Sequence, residues 1–103
     1  MAGNAAGLVC LVVDVPNETR EQFEAVMANL AESGPVPPAE ARFLISGERL
    51  GGWQTVSVWE SEEAIERFFE TRLGPAYRAA GVTVEESRRE TFAVHTLIGG
   101  TGS

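Results

Sequence analysis

Residues 51–77 join a strand that has a tryptophan near each end directly to a capped helix. Side chains alternate between the two faces of an extended strand, so Trp53 and Trp59 lie on one face. Between them on that face are two small hydroxyl residues, Thr55 and Ser57. Buried hydroxyl groups need hydrogen-bond partners, which makes such a face an unusual dry core. We therefore interpret this face as the lining of a cavity.

Hydrophobic periodicity divides the chain into four strands and two helices. One apolar stripe at helical spacing follows Thr19, with Asn17 as the alternative cap, and a second stripe follows Ser61. Gln22 stands at the capping-box distance from Thr19. The runs of β-branched, aromatic and aliphatic residues that predict strands are residues 8–15, 42–46, 53–60 and 91–98.

The order of these elements predicts an α+β fold. A turn at residues 47–52 makes the second and third strands a hairpin, and Gly74 with Pro75 is predicted to break the second helix. The result is the ferredoxin-like β-α-β-β-α-β pattern, in which two helices cover one face of a four-stranded antiparallel sheet. We predict a single domain over residues 1–98, followed by a flexible tail of residues 99–103.

The second face of this sheet is predicted to be covered by another subunit. A solvated face would require apolar and charged residues to alternate, whereas both registers of the strands are largely apolar or small. No residues remain in the chain to cover such a face. We therefore expect a homodimer in which two sheets face each other as a dimeric α+β barrel.

Sorting the strand residues by register separates an apolar set from a set whose side chains can take part in binding or catalysis. We expect the apolar set under the helices, and it comprises Val9, Leu11, Val13, Phe43, Ile45, Val56, Val58, Phe92, Val94 and Ile98. We expect the other set to face the space between the sheets, and it comprises Cys10, Asp14, Arg42, Ser46, Trp53, Thr55, Ser57, Trp59 and His95. The second set holds the candidate site residues.

Three residues of the second set are candidate catalytic groups. His95 is the only histidine, and it is either the proton acceptor or a buried imidazole hydrogen-bonded to a neighbour. Asp14 can orient an imidazole, accept a proton itself, or begin the turn after the first strand. Arg42 can hold a phenolate, enolate or carboxylate, or pair at the strand edge with Glu40 or Glu60.

Aromatic residues are the candidate substrate-binding groups. Trp53 and Trp59, with Thr55 and Ser57 between them, suit a flat aromatic ligand that stacks on an indole. A subunit interface uses tryptophan equally well, so one of the two is expected to serve each purpose. Tyr77 can close the mouth of a cavity or pack across the predicted helix break.

The composition argues against several classes of function. The net charge is −7 and all eight basic residues are arginine, which argues against a nucleic-acid partner and excludes Schiff-base chemistry on lysine. The single cysteine, Cys10, cannot form an internal disulfide, and no apolar run approaches the ~20 residues that cross a bilayer. One histidine and one cysteine do not make the usual metal sites. We expect a soluble, cytoplasmic protein without a cofactor.

The chain resembles the small dimeric α+β-barrel proteins of the antibiotic biosynthesis monooxygenase-like superfamily. The resemblance lies in the element order, in residues 51–77 and in the closing strand FAVHTLIG. The resemblance covers nearly the whole chain. It implies a homodimer with a pocket between sheet and helices or inside the shared barrel. It also implies oxygenation of polycyclic phenols or anthrones without metal or flavin, through a substrate carbanion that reduces oxygen.

The resemblance places Trp53 or Trp59, Arg42 and His95 at the family's tryptophan, cationic and basic positions by residue type and strand placement. The strand asparagine that is common in these oxygenases and in their haem-degrading relatives has no counterpart, because the three asparagines lie outside the predicted strands. This departure argues against haem degradation and weakens the case for quinone-forming oxygenation.

Two functional hypotheses follow. The first is a cofactor-independent enzyme of secondary metabolism, monooxygenase-like or a cyclase or isomerase, that removes a proton from an apolar aromatic or polyketide-like substrate. The alternative is a non-catalytic dimeric binding or accessory protein whose second sheet face is only an interface. A cavity of about 300 Å³ or more near His95 would distinguish the enzyme from the binding protein.

Overall fold

A computed structural model describes residues 7–82 and 87–98, and the predicted tail of residues 99–103 lies outside these ranges. Its strands are β1 (Val9–Pro16), β2 (Ala41–Arg49), β3 (Gly52–Trp59) and β4 (Arg88–Ala93). They form one antiparallel sheet in the order β2-β3-β1-β4. The predicted ferredoxin-like α+β fold is therefore confirmed. In the part of the chain that the structure describes, no helix is long and apolar enough to span a membrane.

Both helices begin where the sequence predicts. Helix α1 (Arg20–Ser33) is capped by Thr19, whose hydroxyl group accepts a hydrogen bond from the backbone N–H of Gln22. The Gln22 side chain accepts one in return from the backbone N–H of Thr19, which completes the capping box. The second helical segment begins after Ser61, whose hydroxyl group accepts from the backbone N–H of Ala64.

The second helical segment continues through the predicted break. It consists of α2 (Glu62–Phe68), a π-helical turn (Phe69–Leu73) and α3 (Gly74–Ala80). The N–H of Gly74 bonds to the carbonyl oxygen of Phe69, five residues earlier, and Pro75 falls in the first turn of α3, where a missing N–H costs least. The prediction that Gly74 and Pro75 break the helix is therefore wrong.

Two strand boundaries also differ from the sequence-based prediction. Strand β2 extends to Arg49, so the hairpin turn consists of Leu50 and Gly51, with φ angles of 51° and 77°. Positive φ at both central residues is typical of the type I′ turn, whose twist matches that of paired strands. Strand β4 ends at Ala93, and His95, which was predicted to lie within it, follows it.

The pairing of β1 with β3 decides which side chains lie under the helices. Val9 pairs with Trp59 and Leu11 with Ser57, and paired residues point to the same face of the sheet. Leu11 and Trp59 belong to one core cluster with the apolar residues of the helices. The tryptophan register therefore faces the helices, and the prediction that it faces the space between two sheets is wrong. Alternation relates residues within a strand and does not specify the register between strands.

Strand β2 contains an irregularity between Ala41 and Phe43 that shifts its pairing with β3. Arg42 stands at this point and is exposed. Phe43 and Ile45 pair with residues of β3 that point away from the helices. Their predicted position under the helices is therefore wrong as well.

The face that points away from the helices is here called the open sheet face, and it carries apolar residues together with Asp14, Gln54, Arg88 and Glu90. Leu8, Val94 and Leu97 pack against Val58 on this face, so the chain covers part of it. The apolar residues of the face are Cys10, Val12, Phe43, Ile45, Val56, Val58 and Phe92. Ile45 and Phe92 are 59% and 58% exposed, respectively. The predicted apolar second face is thus confirmed, although most of its residues are those assigned to the helix side from the sequence.

On the helix-facing side of β3, the buried polar groups of Ser57 and Trp59 satisfy each other. The indole Nε1 of Trp59 donates a hydrogen bond of 2.8 Å to the hydroxyl oxygen of Ser57. Both residues are among the most deeply buried of the described chain. This pairing removes the objection that hydroxyl residues fit a core poorly.

Substitution of Ser57 by alanine is expected to destabilise the fold by about 1–3 kcal/mol, because it leaves the buried indole N–H of Trp59 without its acceptor. Thermal unfolding followed by circular dichroism measures the loss. Ser46→Ala, at an exposed position of β2, is the matched control and should change stability by less than about 0.5 kcal/mol. Equal effects of the two substitutions would contradict this account.

Substitution of Gly52 by alanine is expected to destabilise the fold by about 1–3 kcal/mol through overpacking. A Cβ atom there would lie 2.6 Å from the carbonyl oxygen of Val15 and 2.9 Å from Cα of Pro16. The control is Gly47→Ala, where a Cβ atom would meet nothing within 4 Å. Chemical denaturation of both variants tests the difference, and an unchanged midpoint for Gly52→Ala would refute the predicted clash.

Candidate functional site

A small cavity lies between the helix-facing side of the sheet and the helices, and it is here called the sheet–helix cavity. Its volume is about 50 Å³. Leucine, valine, methionine and phenylalanine side chains form most of its wall, from β1, α1 and the second helical segment. The residues with polar groups in the wall are Thr55, Ser57, Trp59 and Tyr77.

Four of the five predicted substrate-binding residues line the cavity. Thr55, Ser57 and Trp59 come from the floor formed by β3, and Tyr77 comes from α3 on the opposite side. Trp53, the fifth, does not line it. The two tryptophans thus have different surroundings, and both lie on the helix side. That one serves a ligand and the other a subunit interface stays a prediction.

Trp53 is fixed by stacking on α1 near the end of β1. Its ring lies 4.8 Å from that of Phe23, with an interplanar angle of 26°. Its indole Nε1 is buried and has no hydrogen-bond partner within residues 7–82 and 87–98. On its other side it lines a surface cleft of about 240 Å³ with Asp14, Arg49 and Arg88.

The volume of the sheet–helix cavity limits what it can hold in this conformation. A volume of about 50 Å³ holds only a few water molecules, since a cavity needs at least ~10–15 Å³ to hold one. Pockets for drug-sized ligands measure ~300–1,000 Å³. An aromatic ligand therefore requires wall side chains to move. The partly buried residues of the cavity wall are Val13, Phe23, Met27, Leu44, Thr55, Phe69, Leu73 and Tyr77.

The three predicted catalytic residues lie outside this cavity. Asp14 is on the open side of the sheet, where its Oδ1 accepts a hydrogen bond of 3.0 Å from Nε2 of Gln54. Arg42 is exposed and forms an ion pair of 3.8 Å with Glu60, one of the two partners predicted for it. His95 is exposed, with its Nδ1 2.7 Å from the hydroxyl oxygen of Thr96.

The structure therefore does not bring Arg42 and His95 together with the tryptophan register. The reason is the pairing register described above, together with the early end of β4 at Ala93. Their catalytic roles stay predictions. Within the described ranges, no three histidine, cysteine, aspartate or glutamate residues are placed to hold a metal ion.

The sequence-based reasoning missed a buried carboxyl group. Glu18 is only 5% exposed, although it precedes the first turn of α1. The sequence carried one signal for it. Glu18 stands immediately before the cap residue Thr19, at a position that often holds an inward-facing apolar residue packed against the fourth residue of the helix, here Phe23.

Burial dominates the electrostatics of Glu18 and of Tyr77. Burial raises the pKa of Glu18 above its ordinary value, and Tyr77 opposes part of the rise. Burial also raises the pKa of the Tyr77 phenol well above its ordinary value, and the charge of Glu18 raises it further. The Tyr77 hydroxyl group is therefore protonated at neutral pH.

No protein-family model matches the chain, and no curated protein matches it. Among solved structures it is similar to SnoaB, a cofactor-independent oxygenase from Streptomyces nogalater, with a TM-score of 0.63 and 16% identity over 92% of this chain and 100% of that chain. It is also similar to a Caulobacter crescentus protein provisionally described as an antibiotic biosynthesis monooxygenase, with a TM-score of 0.62 and 15% identity over 85% and 90% of the two chains.

A third similar structure is a dimeric ferredoxin-like protein of unknown function from Thermobifida fusca, with a TM-score of 0.56 and 18% identity over 86% of this chain and 93% of that chain. At these identities the likeness shows the fold. The chain therefore has a ferredoxin-like fold similar to the folds of these three proteins.

Proposed function

We propose that the chain is a cofactor-independent enzyme that removes a proton from an apolar aromatic or polyketide-like substrate bound in the sheet–helix cavity. The observation that carries the proposal is the cavity itself, whose wall is apolar apart from the hydroxyl and indole groups of four residues. Few polar groups in an apolar wall are typical of small-molecule sites. The likeness to SnoaB, a cofactor-independent oxygenase, supports oxygenation as the reaction.

The wall residues suit the chemistry of an anthrone-like substrate. Apolar side chains and the indole of Trp59 would hold the fused rings, and the hydroxyl group of Thr55 would hydrogen-bond to an oxygen substituent. Loss of a proton from the ring system gives a carbanion that can reduce molecular oxygen. One oxygen atom then enters the substrate as a carbonyl group and the other leaves as water. An enclosed apolar site also keeps water from protonating the carbanion.

We propose further that the protein is a homodimer joined through the open sheet face. Burial of an exposed isoleucine or phenylalanine contributes ~1.5–3 kcal/mol, and Ile45 and Phe92 are both more than half exposed. A second copy of the chain is the expected partner, because the similar Thermobifida fusca protein is dimeric with the same type of fold. The dimer would then use one sheet face and the substrate the other.

A non-catalytic binding or accessory protein is the alternative, and the cavity volume favours it. The volume of about 50 Å³ lies far below the ~300 Å³ that a substrate-sized pocket needs. Under this alternative the wall residues are ordinary core, and the open sheet face is the functional surface.

Oxygen uptake with a dihydroxyanthrone as substrate tests the proposed reaction. We expect wild-type turnover that chelators do not affect, and a loss of about tenfold in Thr55→Val, which removes one hydrogen bond from the cavity wall. Thr91→Val, at an exposed position of β4, is the matched control and should retain full activity. Turnover without oxygen uptake would indicate a cyclase or isomerase, and binding without turnover would indicate the accessory protein.

The same assay examines the three predicted catalytic residues. If His95 is the proton acceptor, His95→Ala abolishes turnover, whereas full activity in that variant would contradict the role. Asp14→Asn and Arg42→Gln are the corresponding variants for orientation of the base and for stabilisation of the substrate anion.

Ile45→Glu is expected to convert the dimer into a monomer, because it places a charge on the apolar open sheet face. Sedimentation velocity or light scattering measures the mass. Leu50→Glu is the matched control, since Leu50 is 88% exposed at the tip of the hairpin and should leave the mass unchanged. A wild-type protein that is monomeric at micromolar concentration would refute this proposal.

A further inference from the structure

The sheet–helix cavity is enclosed by buried and half-buried side chains along the whole of its described wall. Its volume of about 50 Å³ is also far below the ~300 Å³ of a substrate-sized pocket. A ligand of the proposed kind can therefore enter only if part of the wall moves aside. In a close-packed interior, the wall residue that can move with least disruption is one that also borders open space.

A surface cleft adjoins the cavity, and it is here called the loop–helix cleft. Its volume is about 380 Å³. One side is formed by residues between 33 and 40, which connect α1 to β2, and the other by residues between 64 and 72 of the second helical segment. Ser33, Pro35, Ala39, Arg67 and Thr71 of this lining are exposed, so the cleft is open to solvent.

Phe68 belongs to the walls of both spaces. It lines the sheet–helix cavity and the loop–helix cleft, and among the described residues it is the one that the two walls share. By contrast, the surface cleft around Arg49 and Trp53 has no described wall residue in common with the cavity. Phe68 is therefore the partition between the buried space and the loop–helix cleft.

The π-helical turn continues this division along the chain. Phe69 and Leu73 line the cavity, whereas Thr71 and Arg72 line the cleft. Phe68 is the last residue of α2 and directly precedes the turn. Single π-helical turns within helices are rare and occur frequently at functional sites. The turn thus forms the boundary between the two spaces, with Phe68 at its beginning.

The ring of Phe68 is surrounded by aromatic and cationic groups. Its centre lies 5.1 Å from that of Trp59 and 6.3 Å from that of Phe69. The guanidinium carbon of Arg72 lies 5.6 Å from the same centre, and Arg72 is fixed by hydrogen bonds to the end of α1. An aromatic ligand that displaced the Phe68 ring would take over its contact with Trp59. One aromatic pair would then replace another.

We propose that the loop–helix cleft is the outer half of the ligand site and that the Phe68 ring turns aside to join the cleft to the sheet–helix cavity. This inference rests on the proposed function, because it names the route into the same site and its second half. With Phe68 turned aside, the joined space lies in the ~300–1,000 Å³ range of small-molecule sites, since the cleft alone measures about 380 Å³. Phe68 then determines which ligands fit.

The two halves of the site indicate the class of ligand. The inner half is apolar and ends at Trp59, which suits flat fused rings. The outer half carries the ion pair of Arg67 and Glu40, whose atoms are 3.5 Å apart and whose side chains are partly exposed. A polar substituent can stay hydrated beside these groups. The expected ligand is therefore a fused-ring aromatic compound whose polar end remains in the cleft.

The first test blocks the cleft reversibly. Thr71→Cys, at an exposed position of the cleft, is labelled with a cyclohexyl methanethiosulfonate, and Cys10 is buried, so the label should attach at position 71 alone. The probe is anthracene-2-carboxamide, whose fluorescence reports binding without any reaction. We expect Kd to rise by about tenfold or more on labelling, because the cyclohexyl group occupies the space of the ligand. Reduction of the label with dithiothreitol should restore the original Kd.

Glu70→Cys with the same label is the matched control. Glu70 is exposed on the same π-helical turn and lies outside both walls, so the label there should leave Kd unchanged. An unchanged Kd in labelled Thr71→Cys would overturn the proposal. An equal rise of Kd in both labelled variants would also overturn it, because the effect would not come from the cleft.

The second test changes the partition itself. We expect the anthracene to associate about fivefold faster with Phe68→Leu, since a smaller side chain raises the fraction of molecules in which the two spaces are joined. A variant that merely loses packing gives no such acceleration. Phe69→Leu, which alters the cavity wall but not the cleft, is the control and should not accelerate association.

Stopped-flow fluorescence measures both association rates, and circular dichroism confirms that both variants are folded. Equal or slower association in Phe68→Leu would overturn the role of Phe68. The labelling test does not depend on the stability of Phe68→Leu, because Thr71 is exposed.

Oxygen uptake with a dihydroxyanthrone separates this inference from the proposed function. Anthracene binding that responds to the label at position 71, without any oxygen uptake, would count against the enzyme and support the route. Turnover of the anthrone that the same label leaves unchanged would overturn the route while leaving the proposed function in place. A wild type that does not bind the anthracene would also overturn the route, and the turnover assay would then decide the proposed function alone.

Discussion

The antiparallel register between β1 and β3 is the constraint on which the rest of the structure depends. It aligns Val9 with Trp59 and Leu11 with Ser57, and so places the largest side chain of the sheet beneath the helices. Trp59 is then buried against Phe68, with ring centres 5.1 Å apart, and its N–H is satisfied by Ser57. A slip of one residue would move the whole set to the opposite face. The floor of the cavity is therefore a direct consequence of this pairing.

The roof of the cavity depends on how the second helical segment is attached to α1. Arg72, in the π-helical turn, donates to the carbonyl oxygens of Leu30 and Pro35 and to the hydroxyl oxygen of Ser33. Helix α1 has no basic residue in its last turn, so Arg72 supplies from outside the positive charge that a helix C-terminus favours. This contact and the Asn29 bond to α3 hold the two helical segments together. They also set the position of Tyr77 over the sheet.

The sequence was sufficient for the fold but not for the site. The element order, the Thr19 and Ser61 caps and the apolar second face depend on local spacing and composition, and all were predicted from them. The sequence-based prediction assigned the two faces of the sheet the wrong way round. Strand pairing is a long-range property, and alternation within a strand does not determine it. The burial of Glu18 was missed for the same reason, because burial is a property of the packed fold and not of the local sequence.

The two faces of the sheet are physically coupled because every strand contributes side chains to both. Strand β1 contributes Leu11 and Val13 to the cavity wall and, at alternating positions, Cys10 and Val12 to the open sheet face. A partner subunit on the open face would therefore restrict the same strand that forms part of the cavity floor. The cavity can enlarge on the helix side, where partly buried side chains such as Phe23 and Met27 line it. Dimerisation is thus expected to stiffen the floor while leaving the roof, which carries Tyr77, free to adjust to a ligand.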